Sequence, residues 1–554
     1  MKTHRLVLVS LLTLALVILG AARLKDVASG SAAPQAVTAD TKIAPPQVTQ
    51  SPEQEEPFPL HHEVLDQPFV PIPRELMPTS PAFLWERDGY VSVQANVNSQ
   101  GQNIVGDAAN EPSIAVDPTN QNRIVIGWRQ FDTIQNNFRQ AGFGYTADGG
   151  KTWTFPGVIE PGVFRSDPVL DSDTDGNFFY NSLTNVGGYT CQVFKSVDGG
   201  KTWGSKTQAF GGDKQWMVID RSNSMGRNNM YAYWNRSFSI CNGAFTRSYD
   251  RGQTWVDCTN FPTTVYWGTL ATGPDGTLYL NGTPGGSGYA FLKSTTLKDK
   301  NQPVKWDLWK TVDMGGSIGS FGGPNPGGLL GQAWIAADQN NGNVYMCGSV
   351  DPPAADPRDV MFVRSTDGGV NWSTPKRIND DAPGSNNWQW FGTMSVAPNG
   401  RIDVIWNDTR ANPGGYKSEL YYSYSIDAGA TWSKNVAVSP QFDPQLGYPQ
   451  QNKIGDYYTM VSFNEGAHVA YAATFNLEQD VYYLFIAAPT KPGDMNCDGV
   501  VNNFDIDPFV LALTDPNGYK AKFPNCNIMN GDVNGDGKVD NFDIDPFVKL
   551  LTPP

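Results

Sequence analysis

Between residues 90 and 490 apolar positions alternate with polar ones in short runs, broken by Gly, Asn, Asp and Pro. A period of two predicts β-strands, and the scarcity of long 3.6-residue patterns argues against a helical body. First strands are expected near Glu111, Asp167, Lys214, Trp267, Gln332, Trp390 and Ile454. Seven starts, separated by about 50 residues, predict seven small sheets. The last unit offers three strands, around 454–463, 467–475 and 480–488, and then stops. The alternating segment Tyr90–Val97 is predicted to supply its missing outer strand, which would close a ring and remove two exposed edges.

A phrase of the form Ser/Thr-x-Asp-x-Gly-x-Thr/Asn-Trp recurs five times along this region. Its carboxylates are Asp148, Asp198, Asp250, Asp367 and Asp427, and its indoles Trp153, Trp203, Trp255, Trp372 and Trp432. The Asp is placed to accept hydrogen bonds from turn amides, the Gly permits positive φ, and the Trp caps neighbouring core. A degenerate copy, Lys293-Ser-Thr-Thr-Leu297 followed by Trp306, fills the one double interval. The phrase resembles the Asp-box of sialidases and related β-propellers. That resemblance implies an all-β fold, a sialidase-like Asp-box β-propeller over 86–490, with seven blades favoured and six the alternative. The box is structural in those proteins and names no reaction.

The termini differ from this body. Lys2, His4 and Arg5 precede an apolar run from Leu6 to Gly20, then Ala21 and Ala22. A basic start, an apolar core and small residues predict a secretory signal peptide over 1–25. The run is slightly short for a membrane span, so cleavage is expected over an uncleaved anchor. Residues 26–85, rich in Pro, Ala, Gln, Ser and Glu, predict a disordered linker.

At the other end, Asp494, Asn496, Asp498, Val500, Asn502 and Asp505 are echoed by Asp532, Asn534, Asp536, Lys538, Asp540 and Asp543. Side-chain oxygens at positions 1, 3, 5, 9 and 12, a backbone carbonyl at 7 and Gly at 6 have the spacing of EF-type calcium loops. Each loop leads into a near-duplicate helix, Phe504–Val510 and Phe542–Val548. The pair resembles a type I dockerin over 491–554. The resemblance implies two bound Ca²⁺ and attachment to a cohesin-like protein.

A formal charge of −15 leaves no basic surface to neutralise phosphates, so nucleic acid is not an expected partner. Export would permit disulfides. Cys497 and Cys526 are the two cysteines of the terminal module, and Cys241 and Cys258 flank the third repeat on strands that should pair. Cys191 and Cys347 fall on distant units and are expected as unpaired buried thiols. His468 is the only histidine within the propeller, so no histidine-based triad is predicted; His4 lies in the signal, His61 and His62 in the linker.

Strand starts and second-strand ends share one face of a propeller. There Glu111, Asp167, Asp213, Trp267, Trp334, Trp390 and Asp456 are expected to converge on the axis, with Arg129, Arg236 and Arg410 from second-strand ends. The sialidase resemblance implies an arginine clamp for a sugar carboxylate, an Asp acid/base and a Tyr nucleophile activated by Glu. Those roles would fall to Arg129, Arg236 and Arg410, to Asp167, and to Tyr457 or Tyr421 with Glu419. Glu111, Asp213, Trp390 and Asp456 would complete the substrate face. The Arg-Ile-Pro start of sialidases is absent, and the three arginines sit on blades one, three and six. Loop-organising ion pairs and a cation site are the competing readings of the same residues. The leading expectation is a secreted glycan-active protein, a sialidase-like glycoside hydrolase. The alternative is a non-catalytic propeller binding glycan or protein at the cell surface.

Overall fold

The computed structural model describes residues 66–552, apart from 186, 237–238, 257, 285–287, 319–321, 354–355 and 524–525. The expected signal peptide, residues 26–65 of the expected linker and three of the four histidines lie outside the described residues. Among the described residues, seven antiparallel sheets of three to five strands follow one another along the chain, beside one two-stranded pair. Their first strands are Ala108–Val116, Ser166–Ser172, Trp216–Ile219, Leu270–Thr272, Trp334–Ala337, Gln389–Val396 and Thr459–Phe463. Each packs beside the first strand of the next sheet, and the seventh beside the first. The sheets therefore close around an axis as a seven-bladed β-propeller.

The closure is made by two ends of the chain. Blade seven contains Thr459–Phe463, Gly466–Ala473 and Asp480–Ala487. Tyr90–Gln94 pairs with the third of these, Ser92 opposite Leu484 and Gln94 opposite Tyr482. Leu84–Arg87 adds a fifth strand, and Thr79–Pro81 pairs with Gln102–Ile104, so the chain is already engaged inside the segment read as linker. Pairing early and late strands leaves the ring no free seam.

Two repeated devices hold the blades together. The first is the repeated turn. Asp148 accepts from the Thr146 hydroxyl (2.7 Å), the Lys151 and Thr152 amides (both 3.0 Å) and the Thr152 hydroxyl (2.6 Å). Asp198, Asp250, Asp367 and Asp427 repeat the pattern. In four of the five turns the closing Trp reaches the third strand of the preceding blade: Trp203 meets Phe143, Trp372 meets Phe291, Trp432 meets Phe362, and Trp153 meets Tyr483 across the closure. The invariant Gly of the phrase fits because that neighbour is so close. A Cβ at Gly150 would stand 2.0 Å from Tyr483, and one at Gly369 2.2 Å from Phe291.

The second device is a left-handed residue at the start of every first strand. Glu111, Asp167, Lys214, Trp267 and Phe391 have φ between 47° and 58°, and Gly331 and Gly455 hold the same place in blades five and seven. The strand edge turned toward the axis is then covered by side chains of neighbouring blades. Ser113 Oγ accepts from the Leu170 amide (2.8 Å), Asp171 from Ile219 (2.8 Å), Thr269 from Ile335 (3.0 Å) and Thr459 from Ile114 (2.8 Å).

Beyond the propeller, helices Ile506–Thr514 and Ile544–Leu551 bring Phe509 and Phe547 into a parallel stack at 4.1 Å, with Pro516–Lys522 as a short helix between them. Cys497–Cys526 clips this unit, and Cys241–Cys258 the third blade; Cys191 and Cys347 are free and buried.

The calcium, dockerin and cohesin expectations are corrected here. Among the described residues no group of three or more His, Cys, Asp or Glu side chains is arranged to hold a metal ion. The loop acids serve their own backbone instead. Asp505 accepts from the amides of Met495, Asn496 and Asn502, and Asp543 from those of Val533, Asn534 and Asp540. Asp494 accepts from Gly499, Asn496 from Asp498, and Asp498 from Val500. Asp532 accepts from Asp536, Asn534 from the same amide, and Asp536 from Lys538. Asn502 and Asp540 cap the helical turns that follow. The unit is a disulfide-clipped helical pair rather than an EF-type calcium module.

Candidate functional site

The left-handed starts of blades one, two, three and seven bring charged side chains to the axis. Arg129, from the second strand of blade one, pairs with Glu111 (Nε–Oε2 3.1 Å) and donates to Asn110 (2.8 Å). Lys214 reaches Asp456 at 2.7 Å, Asp213 at 3.4 Å and Asp167 at 3.7 Å. Lys453 reaches Asp456 at 2.8 Å and Glu111 at 3.7 Å. Three acids, Glu111, Asp167 and Asp456, thus face three cations, Arg129, Lys214 and Lys453, and all six are buried. Asp213 stands at the edge, its side chain 27% exposed.

Opposite charges oppose burial throughout this cluster. Burial works against the Lys214 charge, but Asp167, Asp213 and Asp456 outweigh it and keep the ammonium protonated. Burial pushes the Glu111 carboxyl above its ordinary range against the pull of Arg129, with Asp456 adding to the rise. The close approach of blade seven requires Gly455, whose Cβ would lie 2.6 Å from Glu111 Cγ. The segment Gly322–Gly331 is fastened to that same blade. Asn325 donates to the Gly455 carbonyl (2.8 Å), and the Leu329 amide donates to Asp456 (2.8 Å).

Of the remaining expected site residues Tyr457 lies against this cluster, next to Asp456, whereas Arg236, Arg410, Glu419, Tyr421 and Trp390 are not brought to it. Arg236 is exposed and donates to Asn242 in its own hairpin (2.7 Å). Arg410 pairs with Asp380 (2.6 Å) and Asp408 (2.8 Å) and lies over the Tyr421 ring. Glu419 and Tyr421 share that outer part of blade six, where burial raises both, Tyr421 to about 12. Tyr457 donates its hydroxyl to the Pro168 carbonyl (2.8 Å), and burial drives its pKa up, as Glu111 and Asp167 also do. Trp390 is wholly buried within blade six and donates to Ser418 (3.0 Å). A clamp of Arg129, Arg236 and Arg410 would need one shared acceptor; each has partners of its own.

No protein-family model matches the chain, and no curated protein matches it. Solved structures align with it at low similarity. A protein of unknown function from Dyadobacter fermentans aligns at 14% identity and TM-score 0.40, over 72% of this chain and 98% of its own. YCF48 bound to D1 peptide aligns at 13% and 0.40, over 74% and 99%. A GH74 xyloglucanase from Xanthomonas campestris aligns at 15% and 0.38, over 70% and 56%. The propeller assignment rests on the sheet topology of this chain, not on these alignments.

Sequence reasoning passed over Lys453. Its signal is the run Lys453-Ile-Gly455-Asp456, in which a Gly ahead of an acid marks a first-strand start like Glu111 or Asp167.

Proposed function

We propose that the chain is an exported, non-catalytic β-propeller that binds a glycan or a protein outside the cell. The observation behind this reading is the self-pairing of the axial cluster. A glycosidase needs an acid and a nucleophile open to substrate. Here Glu111, Asp167 and Asp456 are buried against Arg129, Lys214 and Lys453, and Tyr457 is a neutral donor to a backbone carbonyl. Two disulfides favour an oxidising compartment. Among the described residues no helix is long and apolar enough to cross a membrane.

The test pairs turnover with binding. Full-length protein is incubated with sialosides and with plant and algal polysaccharides, and screened in parallel on glycan and peptide arrays. The expected result is saturable binding to one class without product release. Cleavage of a sialoside that is lost in Asp167→Asn or Tyr421→Phe would overturn the proposal.

A further inference from the structure

The first strands run from the charged cluster toward the other end of the axis, where a cavity of about 370 Å³ opens between all seven of them. Its walls carry Val218, Ala271, Ala336, Val396 and Val461, from five different blades. Trp216 and Trp334 stand at its inner end, edge to face at 5.2 Å, with Tyr457 5.3 Å from Trp216. The volume falls in the range of small-molecule sites.

The polar backbone around this cavity is largely used. Besides the four amides already named, the Ser462 amide donates to Ser395 (2.9 Å). Carbonyls are taken as well: Val116 accepts from Ser172 (2.7 Å), Thr272 from Gln339 (2.7 Å) and Trp334 from Asn281 (3.0 Å). With these groups paired, the surface left facing the cavity is more apolar than polar, which suits a body with apolar and polar parts. At the mouth stands Arg221, 39% exposed, its Nη1 bonded to Asp171 and to the Ser172 carbonyl. Those bonds hold the guanidinium at the rim while its exposed part faces solvent.

We propose that this cavity is a binding site for a small amphiphile, with an aromatic or branched aliphatic body between the blades and an anionic group at Arg221. The shape complementarity comes from the Val and Ala walls, the aromatic end from Trp216 and Trp334, and the charge complementarity from the rim. The site lies at the far end of the axis and is independent of what the propeller binds elsewhere.

The probes are 8-anilinonaphthalene-1-sulfonate and its uncharged analogue N-phenyl-1-naphthylamine, titrated into full-length protein by fluorescence and calorimetry. One sulfonate per chain is expected in the cavity. Ala336→Leu and Ala271→Leu, from different blades, should each weaken both probes by about tenfold or more. Arg221→Gln should weaken the sulfonate about three- to tenfold and leave the uncharged probe unchanged. Thermal melts identify which variants are folded, and the rim variant keeps the test alive if either filling variant is not. Absence of binding to the wild type, or equal affinity in a folded filling variant, would overturn the proposal. Equal loss of both probes in Arg221→Gln would overturn its anionic part.

Discussion

Single carboxylates do two opposite jobs in this protein. In the repeated turns, partial burial pulls the Asp148 carboxyl upward, yet bonds from Thr152 and Thr146 outweigh it and the pKa falls. Removing that acceptor frees several turn donors, most of them open to water, so Asp148→Ala should cost about 0.5–1.5 kcal/mol in denaturant unfolding. Ligand binding per folded molecule should not change. At the closure the sign reverses. Burial raises Asp480 from its ordinary 3.8 to about 7, against bonds from Asn96 (2.6 Å) and Asn476 (2.7 Å), with Glu478 adding to the rise. Asp107 is raised beside it by burial and by Asp480, and Arg74 is the cation acting on it. A carboxyl raised on folding favours the protonated native state, so its contribution is complete below about pH 4 and is lost as pH rises through about 7. The melting temperature should therefore drop between about pH 4 and 7, and Asp480→Asn should flatten that drop. A wild-type profile that is flat or rising over this window would refute the assignment.

At the scale of elements, the stabilising contacts are those between a blade's turn and the blade before it. Gly369 sits against Phe291, and Gly369→Ala would drive a methyl into that ring or push the turn off it. Overpacking of this kind costs about 1–3 kcal/mol, with further strain from φ of 92°. Circular dichroism melts of the folded variant measure it. The C-terminal unit depends on a different constraint. Its buried core is small, built on Met495, Phe509, Ala512, Tyr519 and Phe547. Cys497 and Cys526 close a loop with a sequence separation of 29. Chain-entropy reasoning assigns such a loop about 3–4 kcal/mol. The double variant Cys497→Ser/Cys526→Ser should lose the helical signal of this unit at lower denaturant while the propeller transition stays in place.

For the whole molecule, the ring makes an early strand, Tyr90–Gln94, a partner of the last sheet. Tyr90–Gln94 contributes to every blade's stability because a propeller with an open seam loses packing on both sides of the gap. Val93→Pro removes a ladder amide from a strand paired on both sides, and leaving its buried partner unpaired costs about 1–3 kcal/mol. The expected outcome is a single propeller transition shifted as a unit. A local loss of residues 84–97 from hydrogen-exchange protection, with blades two to five unaffected, would show instead that the ring stands without its closure.

The sequence by itself determined what short-range physics controls. Alternation placed the strands, and the seven expected starts fall within one residue of the left-handed positions at Glu111, Asp167, Lys214, Trp267, Gly331, Phe391 and Gly455. The repeated turn was legible because its donors lie within four residues of its acceptor. Strand Tyr90–Gln94 was legible as the answer to a missing edge. The axial cluster was legible in part: Glu111, Asp167 and Asp456 were marked as axial, whereas Lys453 and the pairing of Arg129 with Glu111 emerged only when blades one and seven met. Arg236 and Arg410 share a sequence context with Arg129 but not its neighbours: Arg236 bonds Asn242 in its own hairpin, and Arg410 bonds Asp408 on blade six and Asp380 in the connection leading into it. The terminal loops carry the spacing of a calcium site, yet the fold assigns their carboxylates to backbone amides and a disulfide to the closure. Local spacing decides which turn or strand forms; which charges neutralise one another, and what an axial cavity is lined with, depends on residues such as Ile114 and Thr459, 345 positions apart, brought within contact by ring closure.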